Sequence, residues 1–169
     1  MSNKLMILAA GISSRMKNTF HNGLNAQQLK QSNSRPKCMI EVGHQKKPFL
    51  LFLLDNAYLA GFQEICIILN EKDLFTENYI EQLNIKYLNI IYVYQKIPNG
   101  RLKPMGTADA ILQGIRGAIH WKGSSFIVCN SDNLYSVNAF KILLGSLFKN
   151  AMIDYNFYGL GVQSNKINT

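Results

Sequence analysis

Apolar and polar positions along the chain fall into short blocks that alternate between strand-like and helix-like patterns. Lys4–Ala9 is a brief apolar run ending just before Gly11, the pattern of a buried strand feeding a turn. Asn18–Arg35 is polar without a clean period and predicts a long loop, with a turn of helix around Ala26–Lys30. Met39–Val42 predicts a short strand. Pro48–Ala60 opens on proline and stops before Gly61, the start and stop signals of a helix. Glu64–Leu69 is β-rich and apolar throughout, as a central strand is. Asp73–Leu83 predicts an amphipathic helix and Asn89–Tyr94 a strand. Ile97–Met105 holds two prolines, a glycine and two cations, hence a loop. Gly106–Ile119 carries helical spacing at Ala108, Ile111, Leu112 and Ile115. Ser125–Cys129 reads as a strand, Val137–Phe148 as a helix, and Met152–Val162 as the start of a further strand.

Strands alternating with helices predict an α/β sandwich with a mostly parallel sheet and right-handed crossovers. In such sheets ligands bind beyond the carboxyl ends of the strands, near the point where strand order reverses. The loops after Ala10 and after Cys129 both lie at such ends.

The chain has 169 residues, 47% of them hydrophobic, enough for one globular domain with a sizeable core. Its three cysteines, Cys38, Cys66 and Cys129, are far apart and lack zinc-type spacing. Cys66 and Cys129 sit inside apolar runs and read as buried thiols, which suits a reducing compartment. Leu5–Ala10 is too short for a signal sequence and Phe49–Leu54 too short to cross a bilayer, so a cytoplasmic protein with no membrane partner is expected.

The formal charge of +8 raises nucleic acid as a partner, but no helix carries a basic stripe with interleaved aromatics. Much of the positive charge lies near predicted loops instead, at Arg15, Lys17, Lys30, Arg35, Lys37, Lys46, Lys47, Lys96, Arg101 and Lys103. A highly anionic small molecule such as a triphosphate accounts for part of that placement. Lys46, Lys47, Lys72 and Lys86 are expected to be solvated surface.

Four motifs carry candidate chemistry. In Leu8-Ala9-Ala10-Gly11-Ile12-Ser13-Ser14-Arg15, small residues let backbone N–H groups approach phosphate oxygens, and Arg15 offers a bidentate guanidinium. The competing reading is an ordinary turn with a surface arginine. In Arg35-Pro36-Lys37 the proline stiffens a loop that can hold Lys37 as a point charge on phosphate, although Pro-Lys is more often plain surface. Gln95 ends a strand and can read a base edge; Gly106 allows a flat ring to pack closely, and the helix starting there points its positive end the same way. A strand-end glutamine facing water is an equally good account of Gln95. In Asn130-Ser131-Asp132-Asn133 the carboxylate follows a strand and can hold Mg²⁺, the alternative being a turn aspartate.

The ordered set LAAGISSRM, RPK, PMGTADAI and FIVCNSDN resembles the NTP-transferase superfamily, the sugar-nucleotide pyrophosphorylases, over Leu8 to about Asn133. The resemblance implies a Rossmann-like three-layer sandwich. It implies that Leu8, Ala9, Ala10, Gly11, Ser13, Ser14 and Arg15 cradle the triphosphate, that Lys37 contacts its phosphates, that Gln95 and Gly106 sit against the base, that Thr107 also binds the nucleotide, and that Asp132 ligates Mg²⁺. Arg15, Lys37 and Asp132 are then the catalytic set, acting on an NTP and a phosphorylated acceptor, with a sugar 1-phosphate the first expectation. Ser13 stands where the family commonly has a second glycine. Nothing after Asn133 matches the family's acceptor-binding region, and Asp154 is not assigned a role there. The chain is therefore expected to be a single nucleotidyltransferase domain, residues 1–169, lacking the C-terminal acceptor-binding part; homo-oligomerisation stays open. A nucleotide-binding module without turnover is the second reading. A related-fold glycosyltransferase ranks last, because NSDN offers one aspartate where a metal-binding pair is wanted.

Overall fold

The computed structural model describes residues 3–12, 23–147 and 150–155. In chain order the elements are β1 (Lys4–Ala9), α1 (Ala26–Ser34), a hairpin of β2 (Glu41–Val42) and β3 (Lys47–Pro48), α2 (Phe49–Ala60), β4 (Glu64–Asn70), α3 (Thr76–Gln82), β5 (Asn89–Gln95), α4 (Thr107–Gly117), β6 (Ile127–Asn130) and α5 (Val137–Leu144). Strands β5, β4, β1 and β6 lie side by side in that order, and every neighbouring pair is parallel. The protein is an α/β sandwich of the Rossmann-like type with a parallel central sheet.

Period-2 alternation along the strands sorts side chains into two cores. Leu5, Ile7 and Ala9 of β1, with Ile65, Ile67 and Leu69 of β4, meet Leu50, Leu53, Leu54 and Ala57 of α2 and Phe140 of α5. Met6, Cys66 and Ile68 face the opposite layer, with Ala110 of α4, Ala118 and Trp121. Helix α2 is apolar around most of its circumference because it packs both on the sheet and alongside α5. It stops at Gly61, whose φ of +107° is the left-handed C-terminal geometry that glycine adopts without strain.

Helix α4 packs onto the sheet through its glycines. A Cβ at Gly114 would lie 2.6 Å from Ile68 Cδ1, and one at Gly117 would lie 2.4 Å from Val93 Cγ2. That close approach fixes the height of α4 above β5 and so places its N-terminal turn at the carboxyl ends of the strands.

Several boundaries differ from the sequence expectation. The loop expected over Asn18–Arg35 contains a helix longer than one turn; a capping box holds its start, where Gln28 N–H donates to Asn25 Oδ1 at 2.9 Å and Asn25 N–H to Gln28 Oε1 at 3.0 Å. The strand expected from Met39 begins at Glu41, because Lys37–Met39 forms a 3-10 turn. Asp73 lies outside α3 and nucleates it, its carboxylate accepting from the Phe75 and Thr76 N–H groups and the Thr76 hydroxyl. The last sheet strand starts at Ile127 rather than Ser125, and α5 ends at Leu144, where Gly145 N–H bonds back to Lys141. Residues 152–155 are not strand, and 156–162 lie outside the described residues. Of the lysines expected at the surface, Lys47 instead pairs with Asp55 and lies over the Phe52 ring.

Candidate functional site

Strand order reverses between β1 and β6. The chain moves outward from β1 through β4 to β5, then returns to the other side of β1. Backbone segments diverge at such a point and leave a crevice at the carboxyl ends. A cleft of about 550 Å³ opens there, lined by Leu8 through Ile12, Lys37, Cys38, Gln95, Gly106, Thr107 and Asn130 through Asp132, among others. It therefore brings together Leu8, Ala9, Ala10, Gly11, Lys37, Gln95, Gly106, Thr107 and Asp132. Ser13, Ser14 and Arg15 lie outside the described residues.

Backbone and amide bonds tie the cleft floor. Ser131 N–H donates to the Leu8 carbonyl at 3.1 Å, extending the β1–β6 register past Leu8↔Asn130. On the other side, the buried Asn70 side chain donates from Nδ2 to the Ala10 carbonyl at 3.2 Å and accepts the Lys72 N–H at 3.0 Å. The last residue of β4 thus anchors the loop leaving β1. Sequence reasoning missed Asn70; its one signal is that it is the polar residue closing the run EICIILN.

Lys37 reaches the cleft from the 3-10 turn after Pro36, and its Nζ lies 3.1 Å from Asp132 Oδ2. Both side chains are about half exposed, at 56% and 44%. The preceding Arg35 does not enter the cleft lining. Its guanidinium donates to Glu41 Oε1 at 2.7 Å and lies 5.1 Å from the centre of the Phe75 ring. Glu41 also accepts from Gln31 Nε2 at 2.9 Å, and its N–H donates to Gln31 Oε1 at 3.0 Å. The Arg35 hydrogen bond, foremost, holds the Glu41 carboxyl below its ordinary range. Arg35 and Glu41 thereby brace the turn that presents Lys37.

Cys38, next in sequence, is buried against the cleft floor. Burial, then the Asp73 charge, pushes its thiol up to about 12, so it stays protonated there.

Gln95, at the end of β5, is almost fully buried at 2% exposure. Its Nε2 donates to the Gly106 carbonyl at 3.1 Å and to Asp109 Oδ2 at 2.7 Å. Gly106 has φ +104°, and α4 starts at the next residue with no side-chain cap on its first N–H groups. An uncapped helix start beside a cleft favours negative charge.

Metal-binding capacity at this site is narrow. Among the described residues there is no group of three or more His, Cys, Asp or Glu side chains able to hold an ion. Asp132 offers one carboxylate. That donor set fits a hard cation whose remaining ligands are phosphate oxygens and water, not a resident ion caged by protein.

Fold and cleft together define an α/β protein with its ligand crevice at the topological switch point, equipped with a lysine–aspartate pair and a buried amide. A family model described as nucleotidyl transferase matches residues 29–157, and the chain belongs to that family. Among solved structures it is similar to a UTP-bound UDP-glucose pyrophosphorylase from Acinetobacter baumannii, at 20% identity and TM-score 0.60, covering 85% of this chain and 52% of that one. A second structure from Acinetobacter baumannii, also a UDP-glucose pyrophosphorylase, matches at 21% identity and TM-score 0.55, over 78% of this chain and 46% of that one. A UDP-glucose pyrophosphorylase complexed with UDP-glucose matches at 22% identity and TM-score 0.54, over 85% and 52%. The chain spans about half the length of these structures. No curated protein matches it in sequence.

Proposed function

We propose that this chain carries the nucleotide-binding part of an enzyme that transfers a nucleoside monophosphate from an NTP to a phosphorylated small molecule, with release of pyrophosphate. UTP is the favoured donor and a sugar 1-phosphate the favoured acceptor. The observation that carries the reading is the convergence of Lys37, Asp132 and the end of β1 in one cleft with the buried Gln95. UTP draws support from the UTP-bound and UDP-glucose-bound relatives and from Gln95, whose Oε1 can accept the N3–H of uracil.

In the proposed reaction an acceptor phosphate oxygen attacks the α-phosphorus. The new P–O bond forms as the bond to pyrophosphate breaks. The acceptor is already anionic, so no protein nucleophile is required, and catalysis is positioning plus charge neutralisation. The Lys37–Asp132 pair is the resting arrangement. On nucleotide binding Lys37 turns to the phosphates, and Asp132 would hold a Mg²⁺ ion arriving with them, which would supply neutralisation of phosphoryl charge. The backbone from Leu8 to Gly11, with Ser13, Ser14 and Arg15 on the strength of the sequence motif, cradles the triphosphate; Gly106 and Thr107 flank the base.

The reading extends to a nucleotidyltransferase domain in a cytoplasmic setting, without a nucleic-acid partner. Among the described residues no helix is long and apolar enough to cross a membrane.

The test is pyrophosphate release from each of the four NTPs against a panel of phosphorylated acceptors, paired with calorimetry of Mg²⁺–NTP binding. Release from UTP with a sugar 1-phosphate is expected. Failure of every Mg²⁺–NTP to bind refutes the reading. Binding without release for any acceptor favours the second reading, a nucleotide-binding module without turnover.

A further inference from the structure

Gln95 is held by a small polar network that the reading above does not use. Asp109, in the first turn of α4, accepts at Oδ2 from Gln95 Nε2 and from Gln113 Nε2, both at 2.7 Å. Gln113 Oε1 in turn accepts the Lys96 N–H at 3.0 Å. A carboxylate accepts and does not donate, so each amide must turn its nitrogen toward it. With the Gly106 carbonyl as second acceptor, both N–H bonds of the Gln95 amide end inside the protein. Its Oε1 is the amide atom left for a ligand.

We propose that Asp109 is a positioning residue that sets nucleobase specificity: by fixing which way the Gln95 amide points, it makes the site read a base through an acceptor alone. The proposal rests on the nucleotide-binding reading given above. An acceptor at that place suits a pyrimidine whose N3 carries a hydrogen, as in uracil. Cytosine presents a lone pair at N3 and meets Gln95 Oε1 with repulsion. Without Asp109 only the longer bond to the Gly106 carbonyl, at 3.1 Å, holds the amide nitrogen, so Gln95 can turn either end to the ligand at the cost of that one bond and accommodates both bases. Asp109 itself touches neither base nor phosphate in this scheme; it acts through Gln95.

The test is calorimetric binding of Mg²⁺–UTP and Mg²⁺–CTP to the wild type and to Asp109→Ala, Asp109→Ser and Asp109→Asn. Alanine and serine are too small to reach the amides, and serine keeps a polar residue in the first helical turn should the alanine protein fold poorly. Asparagine retains an acceptor oxygen for both amides and removes only the charge. In the wild type UTP is expected to bind about tenfold tighter than CTP, the scale of one hydrogen bond exchanged for an unpaired polar contact. In the alanine and serine variants the ratio collapses to about twofold or less, and in the asparagine variant it returns to about the wild-type value. Loss of general stability lowers both affinities together and leaves their ratio unchanged, so the ratio isolates positioning. An unchanged ratio in the alanine or serine variant, or equal UTP and CTP affinities in the wild type, overturns the role of Asp109 while leaving nucleotide binding intact. Absence of any nucleotide binding by the wild type overturns both.

Discussion

Replacing Lys37 with alanine separates a structural ion pair from a functional one. Lys37 Nζ and Asp132 Oδ2 are 3.1 Å apart, and both side chains are about half exposed. Solvent screening limits such a pair to about 0–1 kcal/mol of folding stability. In a domain of this size that shifts the melting temperature by no more than about 2–4 °C. The functional loss is expected to be far larger. A cation aimed at phosphoryl charge inside a preorganised cleft is worth about 10²–10³ in rate. The assays are thermal denaturation and pyrophosphate release, each run on Lys37→Ala, Asp132→Ala and the double variant in the complete protein. If the two residues act on different parts of the bound nucleotide, each removal slows release in either background. If they serve only each other, the second removal adds nothing to the first. A Lys37→Ala protein that melts several degrees lower yet releases pyrophosphate at the wild-type rate refutes the proposed role.

Two further predictions concern the scaffold. Gly117→Ala drives a Cβ to 2.4 Å from Val93 Cγ2 and 2.9 Å from Cγ1, on a β-branched side chain that cannot swing aside. Overpacking of about 1–3 kcal/mol outweighs the gain in helix propensity of about 1 kcal/mol, so melting temperature falls. Val93→Ala in the same chain relieves the clash, and denaturant titration should give losses that are less than additive. Alkaline pH is the second lever. Burial raises the Cys38, Cys66 and Cys129 thiols from 9.0 to about 12. The folded chain keeps protons that the unfolded chain releases, so this contribution is full below pH 9.0 and is lost as pH rises toward about 12. Each thiol contributes a slope of about 1.4 kcal/mol per pH unit across that window. Denaturant midpoints measured between pH 8 and 11 should fall accordingly, and Cys129→Ala should flatten the fall.

Local pattern determined the elements whose burial is uniform. The apolar runs Lys4–Ala9 and Glu64–Asn70 are covered on both faces, so nearly every position must be hydrophobic and the strand is visible without knowledge of its partners. The proline start and glycine stop of α2 are local backbone preferences and equally visible. Helix α1 showed only as a turn around Ala26–Lys30 because its stability comes from an Asn25–Gln28 capping box and from the Gln31–Glu41 contacts, not from an apolar stripe. The sequence by itself also put strand ends and polar motifs in the right order, which was enough to name Lys37, Gln95 and Asp132 as candidates. Only the tertiary structure decided which of them share a space and what their polar atoms do. Lys37 and Asp132 are 95 positions apart and meet because β6 crosses to the far side of β1. The orientation of Gln95 depends on Asp109 and Gln113, which reach it only because two glycines let α4 settle onto the sheet. Periodicity records whether a residue is buried; it carries no information about the long-range partner that satisfies a buried amide or faces a charge, and that partner is what gives the residue its role.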